Sequence, residues 1–203
     1  MVSLYQPWPQ NELRQGEILG PLYVHSAAHP ATRLLVAPVV NSRRFDASIV
    51  LTADCDLLND YTARREAAAA QRSPLAEPNA LPMVVLCPLF PKADLVLAAS
   101  GREVWRRITQ NQNERYHYLP RVRLEEGSEI VVPEYYVDFK QAFGIPPDQI
   151  YGAIEAGEVW RPAHIGPVFL QDLVHRAFGF MSRVGPDVSQ LVVEVESPPG
   201  SHP

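Results

Sequence analysis

The stretch that most constrains the fold is an apolar run that ends in acidic residues. Residues 47–51 read Ala-Ser-Ile-Val-Leu, and after Thr-Ala the chain continues with Asp54, Cys55 and Asp56. A short run of β-branched and aliphatic residues predicts a buried strand. The end of that strand delivers the acidic triplet to a loop or a helix start, so the triplet is the first candidate site.

Composition sets the class of protein. The chain has 203 residues, of which 46% are hydrophobic and 20% are charged, as in an ordinary globular domain with a core. The formal net charge of −5 gives no overall attraction to nucleic acid or anionic lipid. Without a secretory signal or an apolar run near the ~18 residues of a membrane span, the sequence predicts a cytoplasmic protein with no membrane contact.

The rest of the chain alternates short apolar runs with helical segments. Strands are predicted at 15–24, 33–40, 47–53, 83–89, 116–124, 130–139 and 190–196, with a turn at 41–44. Helices are predicted at about 57–72, at 94–108, from 147 and, most clearly, at 167–183. In the last of these an apolar stripe recurs every three or four positions through Leu170, Leu173, Val174, Ala177, Phe178 and Met181. We expect an arm at 1–13, one domain at 14–196 with an insertion near 57–82, and a disordered tail at 197–203.

Five short sequence patterns follow one another along the chain. They are Gly-Glu-Ile at 16–18, Ile-Val-Leu-Thr at 49–52, the apolar run 84–89, the segment 137–141, and Trp-Arg at 160–161 before the last helix. This order resembles that of the MazF/PemK toxins, which are small bacterial SH3-like barrels. The resemblance implies a mostly β (α+β) fold, an SH3-like barrel with helical insertions and a C-terminal helix packed on it.

The residues that such toxins use for catalysis are replaced in this chain. The family cleaves single-stranded RNA with an arginine on the second core strand and a hydroxyl residue after a Pro-Ile pair. Here Phe90 stands where the hydroxyl is expected, and Asp46 stands near the arginine position, with Arg43 and Arg44 close by. Because phosphate chemistry needs charge stabilisation and proton transfer, the resemblance predicts the barrel better than the ribonuclease.

The acidic triplet has three interpretations. It is a metal or acid–base site that His117 or Cys87 completes, or Cys55 is a nucleophile, which flanking carboxylates disfavour. In the third, Cys55 is a small buried residue while Asp54 and Asp56 cap the next helix and accept arginine pairs. The expected salt-bridge network of the two aspartates consists of Arg115, His117, Asp138, Arg161 and Arg183.

A second candidate region is the arginine-rich and aromatic stretch 102–123. Arginine forks and stacking rings are typical of single-stranded nucleic-acid binding, although an amphipathic helix followed by an aromatic strand explains the same residues. The catalytic candidates are Asp54, Cys55, Asp56, Arg115 and His117. The binding candidates are Arg44, Arg106, Arg107, Tyr116, Asp138 and Arg161. No metal site and no cofactor are assigned.

The preferred hypothesis is a non-catalytic binding or regulatory module of a bacterial toxin–antitoxin or phage-defence kind. A protein partner or a second copy of the chain is expected rather than nucleic acid, with single-stranded RNA as the alternative. Two enzymatic hypotheses stay open. One is a diverged single-strand-specific endoribonuclease that uses Arg44, Arg115 and His117, and the other is a metal-dependent hydrolase centred on the triplet 54–56.

Overall fold

A computed structural model describes residues 4–7, 10–28, 39–95, 101–123 and 131–183. Most of the predicted strand 33–40, the predicted strand 190–196 and the tail 197–203 lie outside these ranges. The fold is mixed α+β rather than mostly β, because two helices of 16 residues each accompany strands of at most seven residues. No helix in the described part is both long enough and apolar enough to cross a membrane.

The elements of the described residues follow in chain order. The helices are α1 (Asp54–Ala69), α2 (Arg102–Thr109), α3 (Pro147–Glu155) and α4 (Pro167–Ser182). The strands are β1 (Tyr5–Gln6), β2 (Ile18–Leu19), β3 (Leu22–Ala28), β4 (Val39–Phe45), β5 (Ser48–Val50), β6 (Val84–Phe90), β7 (Tyr116–Leu119), β8 (Val122–Arg123), β9 (Val131–Val132), β10 (Tyr135–Asp138), β11 (Phe143–Ile145) and β12 (His164–Ile165).

The main sheet is built on β6, as its apolar sequence predicts. The strand order is β2-β5-β6-β10-β7, and β11 pairs with the first half of β6. A single 3-10 turn, Phe139–Gln141, separates β10 from β11. Leu89 donates its N–H to Ala47 on the β5 side, so the missing N–H of Pro88 faces the break between β10 and β11, where a central strand tolerates proline.

The edges of this sheet curl toward each other. Ile18 donates its N–H to the carbonyl of Ala163 at 2.9 Å, which lays the β12 segment along β2, and β1 pairs with β12. At the far edge, beyond β7, the Tyr5 hydroxyl donates to the carbonyl of Pro120 at 3.4 Å. The described strands nevertheless form open sheets, so the closed SH3-like barrel is not confirmed.

Two further predictions, both in the first third of the chain, differ from the structure. The predicted strand 15–24 is divided at Gly20-Pro21 into β2 and β3. The turn predicted at 41–44 is wrong, because these residues belong to β4, which pairs with β3 along seven positions. The described parts of the predicted arm pack on the domain, where Tyr5 and Leu13 are each 1% exposed.

The C-terminal helix packs on the sheet as predicted. Leu173 and Ala177 of α4 join the core cluster that contains Ile49, Cys87 and Val137. Phe178, predicted to lie in the apolar stripe, is instead 53% exposed. The apolar stripe of α4 is therefore narrower than its sequence indicates.

Gly20 is a position where the fold requires glycine. A Cβ atom added there would lie 2.0 Å from the carbonyl oxygen of Asp46. Gly20 also donates its N–H to the carbonyl of Trp160 at 3.1 Å and accepts the N–H of the same residue. Backbone atoms of Asp46 and Trp160 therefore surround this position, and Trp160 cannot move away without breaking its two main-chain hydrogen bonds with Gly20.

We expect Gly20→Ala to lower the free energy of unfolding by about 2 kcal/mol or more, because the added methyl group overpacks a backbone contact. The matched control is Gly152→Ala in α3, where an added Cβ meets nothing within 4 Å and stabilisation of up to about 1 kcal/mol is expected. Urea unfolding of both variants measures the difference. Equal stabilities would contradict the close approach at Gly20.

Candidate functional site

The acidic triplet lies at the start of α1, as the sequence predicts. The Asp54 carboxylate accepts the backbone N–H of Gln15 at 2.7 Å and pairs with the Arg14 guanidinium at 3.0 Å. Both side chains of this ion pair are a little over one third exposed. The N-cap residue is Ala53, without a side-chain hydrogen bond, so the predicted capping role of Asp54 and Asp56 is wrong.

A cavity of about 370 Å³ opens beside the Arg14–Asp54 pair, and we refer to it as the Asp54 cavity. It is lined by Gln6, Pro7, Arg14, Asp54, His164, Ile165, Pro167 and Leu170. These residues come from β1, the segment before β2, the start of α1, β12 and the start of α4. Its lining thus has a polar part, Gln6, Arg14, Asp54 and His164, and an apolar part, Pro7, Ile165, Pro167 and Leu170.

His164 is the buried polar residue of this cavity, at 8% exposure. Burial lowers the pKa of its imidazole, and the nearby charge of Arg14 lowers it further. A hydrogen bond with the backbone of Gln6 and the charge of Asp54 act in the opposite direction without reversing the shift. His164 is therefore neutral at pH 7, where it offers hydrogen bonding rather than charge.

Cys55 and Asp56 do not line the Asp54 cavity. Both are exposed, and the Cys55 thiol lies 3.7 Å from the Asp56 carboxylate. The interpretation of Cys55 as a buried structural residue is wrong. The nucleophile interpretation gains no support either, since no histidine in the described ranges hydrogen bonds with this thiol.

The metal interpretation also lacks its expected partners. Cys87 lies fully buried on β6, where its thiol is 3.9 Å from the carbonyl oxygen of Asp138. His117 lies on β7, across the main sheet from the strand that precedes the triplet. Within the described ranges, no group of three or more His, Cys, Asp or Glu side chains is placed to hold a metal ion.

Arg115 and Asp138 form a separate site on β7 and β10. The Arg115 fork donates to both oxygens of Asp138, at 2.7 and 2.6 Å. The amide of Gln141 and the backbone N–H of Lys140 also donate to this carboxylate. Burial acts to raise the pKa of Asp138, but the hydrogen bonds from Arg115 and Gln141 outweigh it and the pKa is lowered. Asp138 is 1% exposed and the Arg115 side chain is 40% exposed, so the buried carboxylate anchors a guanidinium that is partly exposed.

His117 is buried beneath α4 rather than presented to solvent. Its Nδ1 atom lies 3.9 Å from the Asp172 carboxylate of α4 and makes no hydrogen bond. Burial, with a smaller effect from Arg176, lowers its pKa to about 3. His117 is thus a neutral core residue at pH 7 and is not poised for proton transfer.

The remaining candidates are dispersed over the fold. Arg44 pairs with Asp46 on the surface, Arg106 pairs with Glu103 on α2, and Arg107 donates to the carbonyl of Gln112. The ring of Tyr116 lies under the Arg115 guanidinium. Arg161 pairs with Glu17, and Arg183 pairs with Glu114. The partners predicted for Asp54 and Asp56 are therefore wrong, because Asp54 pairs with Arg14.

Sequence reasoning missed Arg14, Gln6 and His164. Arg14 lies two residues before the Gly-Glu-Ile pattern at 16–18, which was the one available signal. His164 precedes the Gly-Pro pair at 166–167 and has no pattern of its own. His164 lies 150 positions after Arg14 and 158 after Gln6. The backbone bridge between Glu17 and His164 and the pairing of β1 with β12 bring the three side chains together.

Comparison of the chain with protein-family models, curated proteins and solved structures gave no match. The resemblance to the MazF/PemK toxins stays a prediction.

We expect one cysteine thiol per folded chain to react rapidly with Ellman's reagent. Cys55 is exposed, whereas Cys87 is fully buried and burial raises the pKa of its thiol to about 12. Cys55→Ser should abolish the rapid reaction, and the second thiol should react only in denaturant. Two rapid thiols, or none, would contradict the placement of these residues.

We expect the free energy of unfolding to fall as the pH is lowered from about 6.5 toward 3. In this range an unfolded histidine, with its ordinary pKa near 6.5, takes up a proton that folded His117 does not. The loss is up to about 1.4 kcal/mol per unit of pH for one such group.

The variant His117→Phe should flatten this dependence while keeping a ring against Phe139. The matched control is His175→Gln, which changes an exposed histidine on α4 and should leave the slope unchanged. Urea unfolding at a series of pH values measures both. An identical slope in wild type and His117→Phe would show that His117 titrates normally.

Proposed function

We propose that the protein is a non-catalytic binding or regulatory module of a bacterial toxin–antitoxin or phage-defence kind. The observation that carries the proposal is that the candidate reactive groups make separate internal contacts. Arg115 is forked on a buried aspartate, and His117 is neutral beneath α4. A nuclease needs its cation and its proton-transfer group at one phosphate, and these groups are engaged elsewhere.

The toxin–antitoxin or phage-defence setting is supported by the resemblance alone. We infer an incomplete SH3-like barrel from the strand order β2-β5-β6-β10-β7 and from the curl that brings Tyr5 to Pro120. A strongly curled sheet that stops short of closure buries one apolar face. In such a scaffold the edges of the sheet and the helices are available for binding.

A protein partner or a second copy is the partner that the surface supports best. Val168, Phe169 and Phe178 of α4 are between 39% and 62% exposed. Exposed apolar side chains of this size are more typical of protein contacts than of nucleic-acid contacts. The net charge of −5 also disfavours a nucleic-acid partner.

The second candidate function is the diverged endoribonuclease, which one contact favours. Arg43 donates to the side-chain oxygen of Gln141 at 2.8 Å, and the amide of Gln141 donates to Asp138, which holds Arg115. These contacts keep Arg43 and Arg115 near one surface, and guanidinium groups bind phosphates readily. No comparable arrangement favours the metal hydrolase.

Incubation of the purified protein with single-stranded RNA distinguishes the non-catalytic module from the endoribonuclease. We expect no cleavage above the level of the Arg115→Ala variant, because the Arg115 guanidinium is anchored on Asp138. Arg121→Ala, which changes an exposed arginine outside the Arg43–Arg115 contacts, controls for contaminating nuclease. Cleavage that Arg44→Ala or Arg115→Ala abolishes and Arg121→Ala retains would establish the ribonuclease instead.

A further inference from the structure

We propose that the Asp54 cavity binds an uncharged, planar ligand with adjacent hydrogen-bond donor and acceptor groups, the chemistry of a nucleobase or free nucleoside. This inference rests on the proposed binding function and names the ligand class for one site of it.

The polar part of the cavity lining carries no net charge. Arg14 and Asp54 neutralise each other at 3.0 Å, and His164 is neutral because burial lowers its pKa. A charged ligand would have to break this pair and leave one partner without its counter-ion, which is costly in a partly buried site. An uncharged ligand binds without that loss.

The same pair presents a donor next to an acceptor. The guanidinium of Arg14 donates hydrogen bonds only, and the carboxylate of Asp54 accepts them only. The backbone N–H of Gln15 fixes the carboxylate from the opposite side at 2.7 Å. A nucleobase or a cyclic amide carries a hydrogen-bond acceptor beside a donor on one edge. In one orientation the acceptor faces Arg14 and the donor faces Asp54.

The apolar part of the lining suits a ring. Pro7, Pro167 and Leu170 provide saturated carbon surface, and Ile165 adds to it at 1% exposure. Ligand sites of small molecules combine an apolar lining with a few convergent polar groups. A volume of about 370 Å³ lies at the lower end of the range for such sites, roughly 300–1,000 Å³, which fits a nucleoside better than a larger ligand.

Among the described residues, the rim of the site is open to solvent. Both side chains of the Arg14–Asp54 pair are about one third exposed, and Pro7 and Pro167 at the rim are exposed. A ligand therefore reaches the pair without unfolding of β1 or α4.

Calorimetric titration with adenosine, guanosine, cytidine and uridine, used separately at millimolar concentration, tests the proposal. We expect saturable binding of at least one nucleoside, and weaker binding of its 5′-monophosphate because of the added charge. Asp54→Asn and Arg14→Gln should each weaken binding about tenfold or more, since each removes a hydrogen bond with a charged group.

Asp56→Asn is the matched control, because it makes the same change two residues away on an exposed side chain outside the cavity. It should leave the affinity unchanged. Binding of none of the four nucleosides, or equal affinities for wild type, Asp54→Asn and Arg14→Gln, would overturn the proposal.

A measurement on the wild-type protein avoids dependence on the folding of the variants. In NMR spectra, the bound nucleoside should shift the ring signals of His164 and leave those of exposed His175 on α4 in place. Nucleoside binding together with specific RNA cleavage would overturn the non-catalytic function and keep this site. Absence of both nucleoside binding and cleavage would overturn this site and keep the non-catalytic function.

Discussion

The buried ion pair of Glu17 and Arg161 is the interaction on which the Asp54 cavity depends. Arg161 donates to the Glu17 carboxylate at 2.6 Å and to the carbonyls of Gln10 and Glu12 at 3.0 and 2.9 Å. Glu17 in turn accepts the backbone N–H of Arg14 at 3.0 Å. Burial raises the pKa of Glu17, and Arg161 limits the rise. Buried pairs of this kind add little net stability, so the pair acts by fixing the path of residues 10–17.

That path explains why a site forms at this edge of the sheet. Gly16 adopts a φ of +78°, which glycine adopts without strain, and donates its N–H to Val50 at 2.8 Å. The segment therefore passes across the end of β5 with Arg14 beside the start of α1. Ile165 donates its N–H to the carbonyl of Gly16, which fixes His164 on the neighbouring strand. Three distant parts of the chain meet because each is bonded to residues 14–18.

The sequence predicts the strands and helices around this site better than it predicts which side chains line the site. The strand before Asp54, the central strand β6 and the helix α4 are readable because apolar patterns determine them locally. Arg14 and His164 are not readable, since their roles come from pairing between β2 and β12, which no local pattern encodes. The same limit explains the wrong turn at 41–44, where a polar run belongs to a paired hairpin strand. It also explains the wrong partners of Asp54, because opposite charges in a sequence do not reveal which pairs meet.

Several arginines of the described residues bind acceptors within the fold, which is why a run of arginines in the sequence is a poor guide to an anion-binding surface here. Arg176 donates to the carbonyls of Asn111, Asn113 and Tyr116 and thereby fixes the loop before β7 to α4. Arg64, at 9% side-chain exposure, holds Asp60 and the carbonyl of Leu81. The five donors of a guanidinium allow one side chain to satisfy several buried acceptors at once. Within the stretch 102–123, Arg115 holds the buried carboxylate of Asp138, Arg106 pairs with Glu103, and Arg107 donates to the carbonyl of Gln112. The neutral Asp54 cavity is therefore a better candidate for a ligand than the arginine-rich stretch.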